Sequence, residues 1–313
     1  MTLLDLSGKI ESSLADLIAV VAGAAEAMRI PFFVVGATAR DVVLSRAYDI
    51  PIKRATRDVD LGLEIAVWEQ FQALKDALFE TGRFTAKREP QRIEFEGGIP
   101  LDIVPFGAVA SGASEISWPP DYSVRMSVVG FHDACQAAHV VRLRSEPALD
   151  VRFASPAGLV LLKVIAWKDR GSASRKDAMD LAFILEKYTD AGNQERLLTE
   201  HLDLVEATDF DYEYSGARLA GRDVGALASR ATKEVTLGIL EAETAGPAPY
   251  RLVEGMSEHF GRDDAAFERA RRFVDELNPS VAKNTFRSDR IPGSDTVFGG
   301  KVTKRRMSPL VNS

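Results

Sequence analysis

Cysteine is nearly missing from this chain: Cys135 stands alone among 313 residues. That excludes an internal disulfide framework and suits a reducing cytoplasm. Histidine is almost as scarce. His132, His139, His201 and His259 show no zinc-ligand spacing, so a Cys/His metal centre is not expected. No apolar run approaches the roughly 18 residues that span a bilayer, and no membrane association is read. The N-terminus lacks a basic segment followed by an apolar one, since Asp5, Lys9 and Glu11 interrupt it, so no secretion signal is read either. Positive charge is also short. The formal net charge is −7, and an acidic body does not suit a duplex-DNA binder. The shortage is uneven, because Pro279 to Ser313 holds seven Lys/Arg against two Asp, a local balance of +5 that leaves −12 on the rest. A solvated, flexible end is the expected reading of that segment, with contact to RNA or an acidic partner as the alternative.

What is present is an ordinary globular composition, 46% apolar and 27% charged, on a chain long enough for a sizeable core. Apolar residues at a helical period run from Leu3 to Arg29 and stop before Pro31, which predicts a long first helix. The apolar stretch "FFVV" (32–35) predicts a central strand, followed by a Gly36 turn and a helix over 38–45. A loop is expected over 47–55. Residues 58–65 alternate, with Val59, Leu61, Leu63 and Ile65 on one face and Asp58, Asp60, Gly62 and Glu64 on the other, the pattern of a half-buried strand. A helix over 66–80 closes at Gly82. Strands at 92–96 and 101–105 flank Gly97-Gly98, a hairpin signal, and residues 111–153 read as irregular β structure. Ser155-Pro156 opens a helix that ends at Gly171, and Ser174 caps another reaching Tyr188. Helices follow at 193–206, 213–241 and 264–277. The expected domains are a core over 1–153, a mainly helical region over 154–277 and a basic tail over 278–313.

Two aspartates at i and i+2 on one strand face repel one another unless a cation lies between them. A third, Asp102, sits on a neighbouring strand 42 positions after Asp60. Oxygen-rich clusters of this kind suit Mg²⁺, which shares carboxylates with substrate phosphates, and two ions can clamp a phosphoryl centre. A glycine turn at a helix N-terminus offers backbone N–H groups to phosphates; Gly36, Ala37 and Thr38 supply that turn. The plain alternative is a solvated strand face.

In this order the residues resemble the nucleotidyltransferase superfamily typified by DNA polymerase β, whose signature is an apolar strand, a glycine turn, Asp-x-Asp or Asp-x-Glu, and a later third acid. "VVGATARDVVL…DVDL" is similar to the start of the tRNA CCA-adding enzymes. "LLKVIAWKDRGSASRKDAMDLAFIL" (161–185) is similar to the AbiEii-type abortive-infection nucleotidyltransferases, commonly toxins of toxin–antitoxin pairs. The resemblance covers about residues 32–185, and the family's second turn glycine is replaced by Ala37. It implies an α+β fold, a mixed-sheet nucleotidyltransferase domain followed by a helical domain. It also implies metal ligation by Asp58, Asp60 and Asp102, and an NTP held by Gly36, Ala37, Thr38, Arg40, Lys163 and Asp180. The acceptor would be a hydroxyl of tRNA, another RNA or a protein, and an antitoxin protein would be the partner. A small-molecule or CCA-type adenylyltransferase, or a silent nucleotide-binding protein of the same fold, are the alternatives.

Several of these side chains carry two readings from the sequence alone. Lys163 lies on an apolar helix face with Leu159, Leu162, Ala166 and Trp167, where it must either snorkel out or meet an anion. Asp177 is either a helix cap or a site-facing acid. Asp180 is expected to pair with Arg170 or Lys163. Arg40 and Asp41 are read as an ion pair bracing the turn, with substrate contact as the alternative.

Overall fold

The computed structural model describes residues 3–52, 56–112, 114–171, 173–245 and 250–283. Where the apolar period predicts a helix from residue 3, the chain instead opens with strand β1 (Leu3–Asp5). β1 lies parallel to the later strand His139–Ser145, with Leu3 opposite Val140 and Asp5 opposite Arg142. Backbone partners from far along the chain satisfy these three residues, and a local period carries no information about such partners. Asp5 then accepts hydrogen bonds from the Ser7 N–H and hydroxyl, which turns the chain, and α1 runs over Ser12–Ala27.

β2 (Phe32–Val35) leads directly into α2 (Gly36–Arg40), two residues earlier than expected, and the helix continues as a π-helical turn over Asp41–Ala47. β3 (Val59–Glu64) and α3 (Trp68–Glu80) follow, then β4 (Phe84–Ala86), β5 (Arg92–Phe95) and β6 (Ile99–Phe106). A small hairpin, β7 (Glu115–Ser117) and β8 (Arg125–Ser127), comes next. A short helix, α4 (Phe131–Gln136), follows where only β structure is expected. β9 (His139–Ser145) and β10 (Ala148–Phe153) complete the strands. The main sheet has the order β1-β9-β10-β2-β3-β6-β5-β4. Parallel and antiparallel pairs alternate through its middle, with β2–β3 antiparallel and β3–β6 parallel. The sheet is mixed, as expected.

α5 (Pro156–Arg170) begins with Ser155 as its cap, whose hydroxyl accepts from the Gly158 N–H at 3.2 Å. Leu159, Val160, Leu161, Val164 and Ile165 are all buried, because α5 packs on α2 and α4 and on helices that follow it. The later helices are α6 (Lys176–Glu186), α7 (Gln194–Thr199), α8 (Leu202–Glu206), α9 (Tyr212–Leu227), α10 (Arg230–Thr244), α11 (Arg251–Phe260) and α12 (Asp264–Lys283), of which α6, α9 and α10 make the main contacts with α5. The helix expected over 213–241 is two helices, since Ser229 re-caps the chain by accepting from the Thr232 N–H. α11 was not anticipated. α12 passes Leu277 and buries Ser280 and Val281, so residues 278–283 belong to the helix. The rest of the expected basic tail, 284–313, lies outside the described residues. Among the described residues no helix is long and apolar enough to cross a membrane.

Candidate active site

Gly36 turns the chain out of β2 with a φ of +67°. A Cβ at this position would lie 2.1 Å from Oδ2 of Asp60, so the glycine makes room for a carboxylate. Strand register explains the encounter. Val35 lies opposite Asp60 across β2–β3, and Asp60 lies opposite Asp102 across β3–β6. Burying Val59, Leu61 and Leu63 on one face of β3 forces Asp60 onto the other, where it meets Asp102 on the adjacent strand. Burial pushes the Asp60 carboxyl up from 3.8 to about 7. The charges of Asp102 and Asp58 add to that push, while Lys163 and Arg170 oppose it. Among the described residues no hydrogen bond or ion pair ends on the Asp60 carboxylate.

Asp58 stands one residue ahead of β3, its side chain half exposed. Its backbone is fixed at both ends: the Thr38 hydroxyl donates to the Asp58 carbonyl at 2.6 Å, and the Asp58 N–H donates to the Thr56 hydroxyl at 3.2 Å. Thr38, expected among the residues that hold the NTP, thus turns its hydroxyl inward. Asp102 is already gripped. Arg92 donates from Nε to Oδ1 at 2.7 Å and from Nη2 to Oδ2 at 2.5 Å, and the same Nη2 lies 3.8 Å from Oδ2 of Asp58. With Asp102 turned onto Arg92, no three His, Cys, Asp or Glu side chains among the described residues converge as a metal cluster.

Arg92 is the residue that sequence reading passed over, although the signal was present. Gly97 and Gly98 both have positive φ and mark the turn. Counting outward from it pairs Phe95 with Ile99 and Arg92 with Asp102.

Behind α5 lies a second cluster. Lys163 is only 9% exposed. It does not snorkel; it donates to Asp177 Oδ1 at 2.9 Å and to Asp180 Oδ2 at 2.7 Å. Burial alone would lower its pKa, but Asp180 and Asp177 outweigh burial and leave it raised. Asp177 makes no cap bond on α6 and instead also meets Arg170 at 3.1 Å. Arg40 bridges Asp180 and Asp41, its Nε 2.7 Å from Asp41 Oδ1. Asp41 in turn accepts from the Thr56 N–H at 3.2 Å. The Arg40–Asp41 ion pair is therefore present and continues, through Asp180, to Lys163. This chain of contacts ties α6 to the residue whose hydroxyl holds the Asp58 N–H.

The element order, the paired acids on β3 and β6, and the lysine helix meet a known pattern: the model of the family described as nucleotidyl transferase AbiEii toxin, type IV TA system, matches residues 19–286. The chain belongs to the AbiEii family. It is a nucleotidyltransferase. Among solved structures it is similar to ANT(2")-Ia in complex with adenylyl-2"-tobramycin, at 16% identity and a TM-score of 0.36, over 60% of this chain and 94% of that one. It is also similar to lincomycin-bound LnuA, a lincosamide antibiotic adenylyltransferase, at 16% identity and a TM-score of 0.35, over 56% of this chain and 96% of that one. A CCA-adding enzyme with ATP matches at 13% identity and a TM-score of 0.32, over 86% of this chain and 70% of that one. Likenesses this slight carry no further argument. No curated protein matches the chain.

For the AbiEii family member, the donor chemistry of the β3–β6 acids fits a divalent cation. The donors are carboxylate oxygens, Asp60 has no hydrogen-bond or ion-pair partner among the described residues, and burial, helped by the charge of Asp102, raises its carboxyl. Asp102 is the donor already engaged.

Proposed function

We propose that this AbiEii-family enzyme moves a nucleoside monophosphate from an NTP to a hydroxyl of an RNA or protein acceptor, as the toxin of a type IV toxin–antitoxin pair in the cytoplasm. The observation that carries the reading is the Asp60 carboxylate opposite Asp102, without a partner among the described residues and seated over a glycine that has to lack a side chain. Asp58, Asp60 and Asp102 would hold the metal, with two Mg²⁺ ions expected for phosphoryl chemistry. When bound, Mg²⁺ supplies charge neutralisation and an acidified acceptor hydroxyl.

The chain's own residues do the positioning, which is most of what phosphoryl transfer needs. Ammonium groups have three donors, and Asp177 and Asp180 fix two of those on Lys163. Its remaining N–H and its charge serve the triphosphate. Asp180 and Arg40 keep Lys163 in place, and the Gly36-Ala37-Thr38 turn supports both the phosphates and the Asp58 backbone. The family's type IV toxin–antitoxin character is the support for an antitoxin protein as partner.

The test is transfer of label from each NTP, with Mg²⁺, into total RNA, total protein and the small-molecule fraction, comparing wild type with Asp60→Asn. Label that depends on Asp60 and appears in RNA or protein supports the reading. Label confined to small molecules replaces the acceptor class. No transfer, together with no Mg²⁺-dependent NTP binding, overturns it.

A further inference from the structure

The third acid of the site is occupied by a side chain of the protein itself. Arg92 lies on β5 beside β6, and its planar fork matches both oxygens of Asp102 at 2.7 and 2.5 Å. The same guanidinium reaches toward Asp58 at 3.8 Å. It therefore stands across the gap between two of the three acids that would hold metal. A guanidinium cannot give up its proton in this setting, so it yields Asp102 only by moving to another partner.

The surroundings say what that partner is. On the face of the sheet that carries Asp60 and Asp102, β5 contributes Arg92 and Glu94, and β4 contributes Thr85 opposite Glu94. Buried Ile93, Phe95 and Phe84 lie on the other face, while Thr85 and Lys87 are exposed. The acid face therefore runs from Asp102 across Arg92 to solvent, so a molecule approaching Asp102 from the β5 side meets Arg92 first. Glu94 is already paired with Lys87 at 2.8 Å and leaves Arg92 to Asp102. The turn before β5 and the residue before Asp58 add Arg88 and Arg57, both exposed. Carboxylate and phosphate are the two groups that a guanidinium fork binds bidentately. A neutral serine, threonine or tyrosine hydroxyl cannot replace the Asp102 carboxylate on that fork. The phosphodiester next to a terminal ribose can.

We propose that Arg92 is an acceptor-sensing residue. It holds Asp102 out of the metal site until the phosphodiester at the 3′ end of an RNA strand draws the guanidinium away, and only then does Asp102 turn to complete the acid triad. The enzyme is thereby kept from spending NTP on water while no polynucleotide end is bound. This inference rests on the nucleotidyl-transfer reading above, and it selects RNA over protein as the acceptor.

The experiment titrates the full-length chain with Mn²⁺ by calorimetry, in the presence of an α,β-methylene NTP, with and without a short single-stranded RNA ending in a 3′-hydroxyl. Arg92→Met should bind Mn²⁺ at least about tenfold more tightly than wild type without RNA, since a fixed positive charge no longer competes. Adding Asp102→Asn to that variant should remove the gain. RNA should tighten Mn²⁺ binding by wild type and leave Arg92→Met unmoved, with Arg92→Lys intermediate because it keeps the charge and loses the fork. In transfer assays Arg92→Met should raise KM for RNA about tenfold or more and leave KM for NTP unchanged. Equal Mn²⁺ affinity in wild type and Arg92→Met overturns the proposal, as does an RNA that leaves wild-type affinity unchanged. A protein acceptor that tightens Mn²⁺ where RNA does not overturns the choice of polynucleotide. If neither protein binds Mn²⁺ in a manner that Asp60→Asn abolishes, the nucleotidyl-transfer reading falls instead.

Discussion

At the mouth of β3, the Arg92 guanidinium pairs with Asp102 and reaches toward Asp58 but leaves Asp60 out, whereas behind α5 the carboxylates of Asp41, Asp177 and Asp180 are met by Lys163, Arg40 and Arg170. Among the described residues, three acids stand with one cation in the first cluster and with three in the second. Each cluster has buried members and a member open to solvent, Asp58 in the first and Arg170 in the second, so solvent alone does not explain their different behaviour. In the balanced cluster Asp180 and Asp177 outweigh burial and hold Lys163 charged, although burial still raises Asp41 beside Arg40. In the unbalanced one burial wins, and Asp60 is pushed up to about 7. A carboxylate left in that condition is poised to gain a cation, and one that already has a partner is poised to hold a shape. The first cluster is therefore poised to gain a cation, and the second holds Lys163 in the place from which it would serve the triphosphate.

The sharpest way to break this comparison is to remove charge from each side in turn. Asp60→Asn should lower transfer by ~10⁴-fold or more, about 5.5 kcal/mol of barrier, while the thermal midpoint stays level or rises. A large drop in midpoint would mean that Asp60 is architectural after all. Lys163→Met should do the reverse in stability. It leaves Asp177 and Asp180 buried without their shared cation, and such a loss costs about 3–5 kcal/mol, readable by chemical denaturation. Adding Asp177→Asn and Asp180→Asn to Lys163→Met should restore much of that stability without restoring activity. If it restores neither, Lys163 matters through packing.

pH separates the clusters more gently. In the metal-free protein the folded state keeps a proton on Asp60 that the unfolded chain has released, over the interval from 3.8 to about 7. The unfolded state binds fewer protons there, so stability falls as pH rises through that window and levels off above it. The whole effect is on the order of 2–4 kcal/mol. Denaturation in EDTA on either side of the window should show it, and Asp60→Asn should flatten the difference; parallel profiles would remove Asp60 as its source. The smallest effect belongs to a residue outside both clusters. Asp133 accepts from the Ser229 N–H at 3.0 Å and the Thr232 hydroxyl at 2.5 Å, joining α4 to the start of α10. Asp133→Ala should cost about 1 kcal/mol, as loss of a helix cap does, with transfer unchanged.

The first cluster could be read from the sequence because its geometry is local to strands. The alternation of β3 placed Asp60 on a face, and the glycine turn marked where β2 ends. Even Arg92 was within reach, through the Gly97-Gly98 hairpin and the register it sets. The second cluster could not be read in the same way. Arg40 and Asp180 belong to segments whose neighbourhood is decided by how α5 and α6 pack on α2, and no period or spacing states that. Lys163 showed only that an apolar face held a charge in need of a partner; which partner was a tertiary fact. The misread elements divide similarly. Leu3–Asp5 is a strand because β9 lends it a partner, and α4 is a single short helix inside a β-rich region. Ser229, by contrast, is a readable cap that was overlooked inside an apparently continuous helix.

The described sheet ends at both rims in strands of three residues, Leu3–Asp5 and Phe84–Ala86. A rim that short presents too few outward amides to template a neighbouring chain, and short edges are one of the ways sheets avoid growing by addition. For a nucleotidyltransferase of a toxin family the consequence is one of control. Among the described residues neither rim is built to template stacked copies, so growth of the sheet is not the means by which the enzyme's activity would be restrained.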